Sequence, residues 1–98
     1  MPLNGKQRRH LRALGHALDP VVQVGKLGLS ESLVRALDEA LTRHELVKVR
    51  IGGECPVDRH TLSEELASAT ASELAQLLGR TALYYRRHPK KPRIVLPE

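Results

Sequence analysis

The chain has 98 residues, of which 41% are apolar, with no Phe or Trp and two Tyr; that suffices for one core and not for two. A lone cysteine, Cys55, excludes an internal disulfide and fits a reducing cytoplasm. The net charge of +5 points to a polyanionic partner, while no stretch nears the roughly 18 apolar residues of a membrane span and no apolar segment follows the charged N-terminus as in a signal peptide.

Taken in chain order, Asn4 with Gln7 forms a capping-box pattern that opens a helix over about residues 5–17, ending before Asp19-Pro20. Helical spacing gathers Leu3, Leu11, Leu14 and Leu18 on a buried stripe and Arg8, Arg9, Arg12 and His16 on an outer one. Val21 to Val24 is β-branched and bounded by Pro20 and Gly25, hence a strand. Ser30 is an N-cap for a second helix with Leu33, Val34, Leu37, Ala40 and Leu41 on one face and His44 on that face at its end. Leu46 to Ile51 alternates: Val47, Val49 and Ile51 face one way, and Leu46, Lys48 and Arg50 the other.

A third, acidic helix (Asp58, Glu64, Glu65) is predicted from Pro56 or Val57 to about Ala69, with proline in its first turn and Leu62, Leu66 and Ala69 inward. ELAQLLG, residues 73–79, has helical propensity, yet Gly79-Arg80 reads as a two-residue hairpin turn with glycine first, followed by a strand over Thr81–Arg86. Residues 87–98 form a basic tail, twice broken by proline and so extended, in which Ile94-Val95-Leu96 is a candidate edge strand. The order is α-β-α-β-α-β-β. Right-handed β-α-β crossovers give parallel pairs, and the closing hairpin makes the sheet mixed.

Charge is distributed unevenly. Residues 1–28 carry five Lys/Arg against Asp19, residues 29–73 five against nine Asp/Glu, and residues 74–98 six against Glu98. If the ends meet in space, they form one positive surface backed by an acidic face. Catalytic signals are weak by comparison. Cys55 and His60 have no further ligands at metal spacing, Glu64 and Glu65 are adjacent and so diverge on a helix, and no P-loop or GxGxxG is present. Neither an enzyme activity nor a cofactor is expected.

The remaining unusual feature is Gly25-Lys26-Leu27-Gly28, between a strand and a capped helix. Glycine permits φ > 0 and close approach of another backbone, the helix N-terminus favours anions, and Lys26 adds a mobile charge. A GxxG loop that clamps backbone nucleotides is how KH domains hold RNA.

With this loop, HELVKV and the G-R-T-x-x-x-Y-R run from Gly79, the chain resembles the CRM domain family, in particular its small bacterial stand-alone YhbY-like members. The likeness runs over nearly the whole length. It implies a strand for ELAQLLG, a fold similar to the C-terminal domain of translation initiation factor three, and RNA binding linked to the precursor of the large ribosomal subunit. It also implies that Gly25, Lys26, Leu27 and Gly28 contact RNA. Ala82 and Tyr84 depart from the larger aliphatic residue and the leucine usual in the family.

The expectation is therefore one α/β domain, a mixed four-stranded sheet with three helices, that binds RNA in the cytoplasm without a small-molecule substrate or a membrane. Lys6, Arg8, Arg9 and Arg12 would assist the loop, and Arg80, Arg86, Arg87, Lys90 and Lys91 would extend the surface. The rival reading is a protein-interaction adaptor whose acidic third helix docks a basic ribosomal protein or assembly factor.

Overall fold

The computed structural model describes residues 2–98. Its elements are α1 (Gly5–Gly15), β1 (Val22–Val24), α2 (Glu31–His44), β2 (Leu46–Ile51), α3 (Arg59–Ala69), β3 (Glu73–Leu78) and β4 (Thr81–Tyr85). One sheet has the strand order β1-β2-β4-β3. β1 runs parallel to β2, and β4 pairs antiparallel with β2 on one side and with β3 on the other.

Side-chain alternation along the strands builds two cores, one on each face. Val22, Val24, Val47, Val49, Ile51, Ala82 and Tyr84 face α2 and α3 and meet Leu33, Leu37, Leu41, Leu62 and Leu66. Leu46, Ala75, Leu83 and Tyr85 face the other way, where Leu3 and Leu11 of the α1 region and Ile94 and Leu96 of the tail cover them. Gly15 lets α1 sit close to the sheet, since a Cβ there would lie 2.8 Å from Leu83 Cδ2. The unusual Tyr84 ring is fully buried in the first core, and its hydroxyl donates to the Ser63 carbonyl at 3.0 Å. Burial pushes that phenol up to about 12.

Local signals explain most boundaries. The α1 capping box is complete: Gln7 N–H donates to Asn4 Oδ1 at 2.8 Å and Asn4 N–H to Gln7 Oε1 at 3.1 Å. Ser30 Oγ accepts from Leu33 N–H at the start of α2. The β3–β4 hairpin closes with Leu78 opposite Thr81, and Gly79 takes φ 59 while Arg80 keeps negative φ, the pattern of a turn with glycine first.

Several expectations need correction. α1 stops at Gly15 rather than near residue 17, and Leu14 and Leu18 are 40% and 36% exposed, lining an open pocket beside Leu46 and Lys48. α3 starts at Arg59 and not at Pro56 or Val57, because the Asp58 carboxylate accepts the His60 and Thr61 N–H groups and makes Asp58 the cap. Ser63, not Ala69, joins Leu62 and Leu66 on the inner face. His44 is exposed, not turned into the core. β2 and β3 are not paired: β4 inserts between them, so among the described residues β1–β2 is the one parallel pair. β1 begins at Val22 and β4 ends at Tyr85. Ile94–Leu96 forms no strand; Ile94 and Leu96 pack as an irregular segment on the second core. Among the described residues no helix is long and apolar enough to cross a membrane.

Candidate nucleic-acid interface

The GKLG segment is a β-turn. Gly28 N–H donates to Gly25 C=O at 3.1 Å, placing Lys26 and Leu27 at the two corners. Both corners project outward, and Leu27 is 78% exposed. The two glycines do different jobs. Gly28 is buried and adopts φ 63; a Cβ there would stand 3.5–3.6 Å from Val57 and Pro56, ordinary contact, so it is the backbone conformation that disfavours a side chain. Gly25 has ordinary φ and nothing within 4 Å of where a Cβ would stand. The turn needs only Gly28.

Around this turn the parallel β1–β2 pair ends, α2 begins after Ser30, and the Gly79-Arg80 turn closes the neighbouring hairpin. Gly52 N–H bonds to Val24 C=O at 2.8 Å, and Arg80 Nη1 reaches Gly52 C=O at 3.3 Å. Arg59, which the sequence reading passed over, donates from Nη1 to Gly79 C=O at 2.8 Å. A residue that opens an acidic helix gave no local cue that it would meet the hairpin. Lys26, Arg59 and Arg80 thus belong to one end of the sheet. A groove of about 660 Å³ runs beside it, lined by β1, the turn, the start of α2 and one acidic side chain, Glu54.

The remaining sequence-selected cations fall elsewhere. Lys6, Arg8 and Arg9 are exposed on α1, across the sheet from α2, while Arg12 is half-buried with its Nε shielded and unpartnered. Arg87, Lys90 and Lys91 are exposed on the tail. Arg86 is engaged within the fold: Nη1 meets Asp38 Oδ1 at 2.6 Å and Thr70 C=O at 2.7 Å, and Nη2 meets Asp38 C=O and Thr42 Oγ1 at 3.0 Å. It links α2 to the end of α3, so its guanidinium is not free for a ligand. No signal in one sequence separates it from its neighbour Arg87.

The tail is held by a residue the sequence reading did not single out. Glu45 follows α2 with φ 61 and is 2% exposed. Its carboxylate accepts N–H bonds from His88 at 2.8 Å, Arg93 at 2.6 Å and Ile94 at 3.0 Å, and its carbonyl accepts from Arg86 N–H at 2.8 Å. Burial alone would raise this carboxyl; the three backbone donors outweigh it and hold it below its ordinary value. His88 Nδ1 in turn accepts from the Lys90 and Lys91 N–H groups. Further on, Gln7 Nε2 donates to Pro97 C=O, so the tail lies beside α1. The two basic chain ends do meet in space, on one face of the sheet.

Among the described residues no group of three His, Cys, Asp or Glu could hold a metal ion, and Cys55 Sγ only contacts Val57 C=O at 3.6 Å.

Comparison with known proteins shows the family and the fold. Residues 3–86 match the family model of the CRS1 / YhbY (CRM) domain. The chain is 37% identical over 95 residues to "Probable RNA-binding protein YqeI" of Bacillus subtilis, covering 97% of this chain and 99% of that one. It is 39% identical over 90 residues to "Probable RNA-binding protein PA4753" of Pseudomonas aeruginosa, covering 92% and 86%. The solution structure of SAV1595 from Staphylococcus aureus superposes with a TM-score of 0.83 at 40% identity, over 97% of this chain and 99% of that one.

Proposed function

The chain belongs to the CRS1/YhbY (CRM) domain family, and on that premise we propose that it is a non-enzymatic RNA-binding module. Its RNA is ribosomal, bound in the cytoplasm during assembly of the large subunit, as the family resemblance implies. The observation that carries the reading is the GKLG turn, where an exposed Lys26 stands beside a glycine that the turn itself does not require. A backbone with no side chain in the way, a mobile cation and the positive end of α2 together suit a phosphate. Lys6, Arg8 and Arg9 on α1, Arg80 at the hairpin, and Arg87, Lys90 and Lys91 on the tail supply further charge. Two tyrosines, both buried, leave no stacking platform, so recognition rests on the sugar-phosphate backbone and not on bases.

Crosslinking in cells followed by sequencing of the bound RNA tests this directly. Enrichment of large-subunit ribosomal RNA is the expected result. Partners that stay bound after RNase treatment, captured through Glu64 and Glu65 of α3, would replace the RNA reading with that of a protein adaptor.

A further inference from the structure

The sheet has a region that neither core covers. Successive ladder partners align Gln23, Arg50, Thr81 and Leu78 in one row across all four strands. The row below places Lys48 and Gln76 on either side of Leu83. By alternation these side chains share the face on which α1 lies. Gly15 of α1 sits on Leu83, Leu14 and Leu18 line an open pocket beside Lys48, and none of the other six residues enters a core cluster. Gln23, Arg50 and Leu78 are exposed, and Lys48, Gln76 and Thr81 are half-exposed.

Apart from Leu78 this shelf is polar, it carries two cations, and its own residues include no Asp or Glu, although Asp19 lines the pocket beside Lys48. Its upper border is the end of the sheet that bears Lys26 and Arg80: Gln23 stands two residues before Gly25, and Thr81 follows Arg80. A strand rise of about 3.3 Å per residue puts Lys48 and Arg50 about 6.6 Å apart. That is comparable to the distance between successive phosphates along one RNA strand. Gln23, Gln76 and Thr81 add hydrogen-bonding groups suited to phosphate oxygens and 2′-hydroxyls.

We propose that the open half of the sheet, centred on Arg50 with Lys48, Gln23 and Thr81, is a second RNA-contacting surface that carries a single strand's backbone from the GKLG turn toward α1. The proposal rests on the RNA-binding reading above and deepens it. The shelf discriminates little between sequences, because it offers charge and hydrogen bonds without an aromatic ring.

The test uses the full chain and a fluorescein-labelled RNA hairpin with a single-stranded 3′ extension, titrated by anisotropy at several salt concentrations. Arg50→Ala should lower affinity about fivefold and reduce the slope of log K against log salt by about 0.7 to 0.9, the signature of one lost phosphate contact. Arg50→Lys should keep the slope. Arg35→Ala, which removes an exposed charge from α2 on the opposite face, should change neither. Circular dichroism melting confirms that each variant is folded. A folded Arg50→Ala with parental affinity and slope overturns the shelf. If that happens while replacement of Lys26 and Leu27 by aspartate abolishes binding, the loop reading stands alone. If Arg50→Ala loses affinity while the loop variant keeps it, the shelf stands and the loop reading fails.

Discussion

The GKLG turn and the C-terminal tail are both basic, irregular segments, yet they are held in opposite ways. The turn is fixed by backbone: one hydrogen bond across it and one buried glycine at positive φ. Its side chains are therefore free to change without unfolding anything. The tail has no regular structure of its own and is fixed chiefly by a distant side chain, Glu45, whose carboxylate gathers three of its N–H groups, with Ile94 and Leu96 packed on the second core and Gln7 on Pro97 C=O. A segment held by backbone tolerates substitution at its tips. A segment whose backbone donors converge on one buried charge depends on that charge.

The largest expected effect tests this dependence. Glu45→Ala removes an acceptor for three backbone donors while leaving a non-glycine residue at φ 61. Hydrogen bonds to a charged group contribute about 1.5–3 kcal/mol each and are not additive, so a loss of roughly 3 kcal/mol is expected in denaturant unfolding. Limited proteolysis should cut first within residues 87–93. pH gives an independent reading. A carboxyl held below its ordinary value of 4.5 stabilises the fold fully above that value. The contribution is lost as pH falls through the lowered value. The stability gap between the parent and Glu45→Gln should thus narrow in acid; a gap that stays constant to low pH would remove the charge from the account.

Next comes the turn. Replacing Lys26 and Leu27 with Asp-Asp keeps both glycines and places two carboxylates at the favourable end of α2, so stability should change little. RNA affinity should fall at least about tenfold, or roughly 1.4 kcal/mol. Unchanged affinity in the folded variant would reduce GKLG to a connection. Gly28→Ala should act in the other direction, on stability and not directly on binding. At φ 63 an alanine costs about 1 kcal/mol, and because its Cβ would meet Val57 and Pro56 at ordinary contact distance, the cost lies in the backbone. A melting temperature equal to the parent's would show that the turn has another conformation within reach.

The same contrast explains what could be read from sequence. Ser30, Asn4 with Gln7, Gly28 and Gly79 act on neighbours within a few residues, and each element they delimit was legible. The alternation of Leu46 to Ile51 correctly assigned Lys48 and Arg50 to one face. It could not show that α1 stops short of Arg50, since that depends on where Gly15 lands on Leu83. The insertion of β4 between β2 and β3, Glu45 with His88 and Ile94, and Arg86 with Asp38 and Thr70 join positions 16 to 49 residues apart. No local pattern encodes such pairings. Arg86 and Arg87 are adjacent and identical in type, yet one is engaged within the fold and the other is exposed, which composition and charge cannot distinguish.

The smallest expected change in stability is the sharpest test of why the turn carries two glycines. Gly25→Ala adds a methyl group where the structure has open space and an ordinary φ. Nothing in the fold resists it, and the lower entropy of the unfolded chain offsets any small cost, so stability should stay within about 0.5 kcal/mol of the parent or rise slightly. If the missing side chain exists for the ligand's approach, the same methyl group stands between the turn and a phosphate. It leaves the charge of the neighbouring Lys26 unaltered. RNA affinity should then fall about threefold to tenfold with an unchanged salt slope, because a steric clash removes contact without removing a cation. That combination separates Gly25 from Lys26, whose loss must flatten the slope. A Gly25→Ala protein with parental affinity would mean that RNA, where it binds, meets only the corners of the turn.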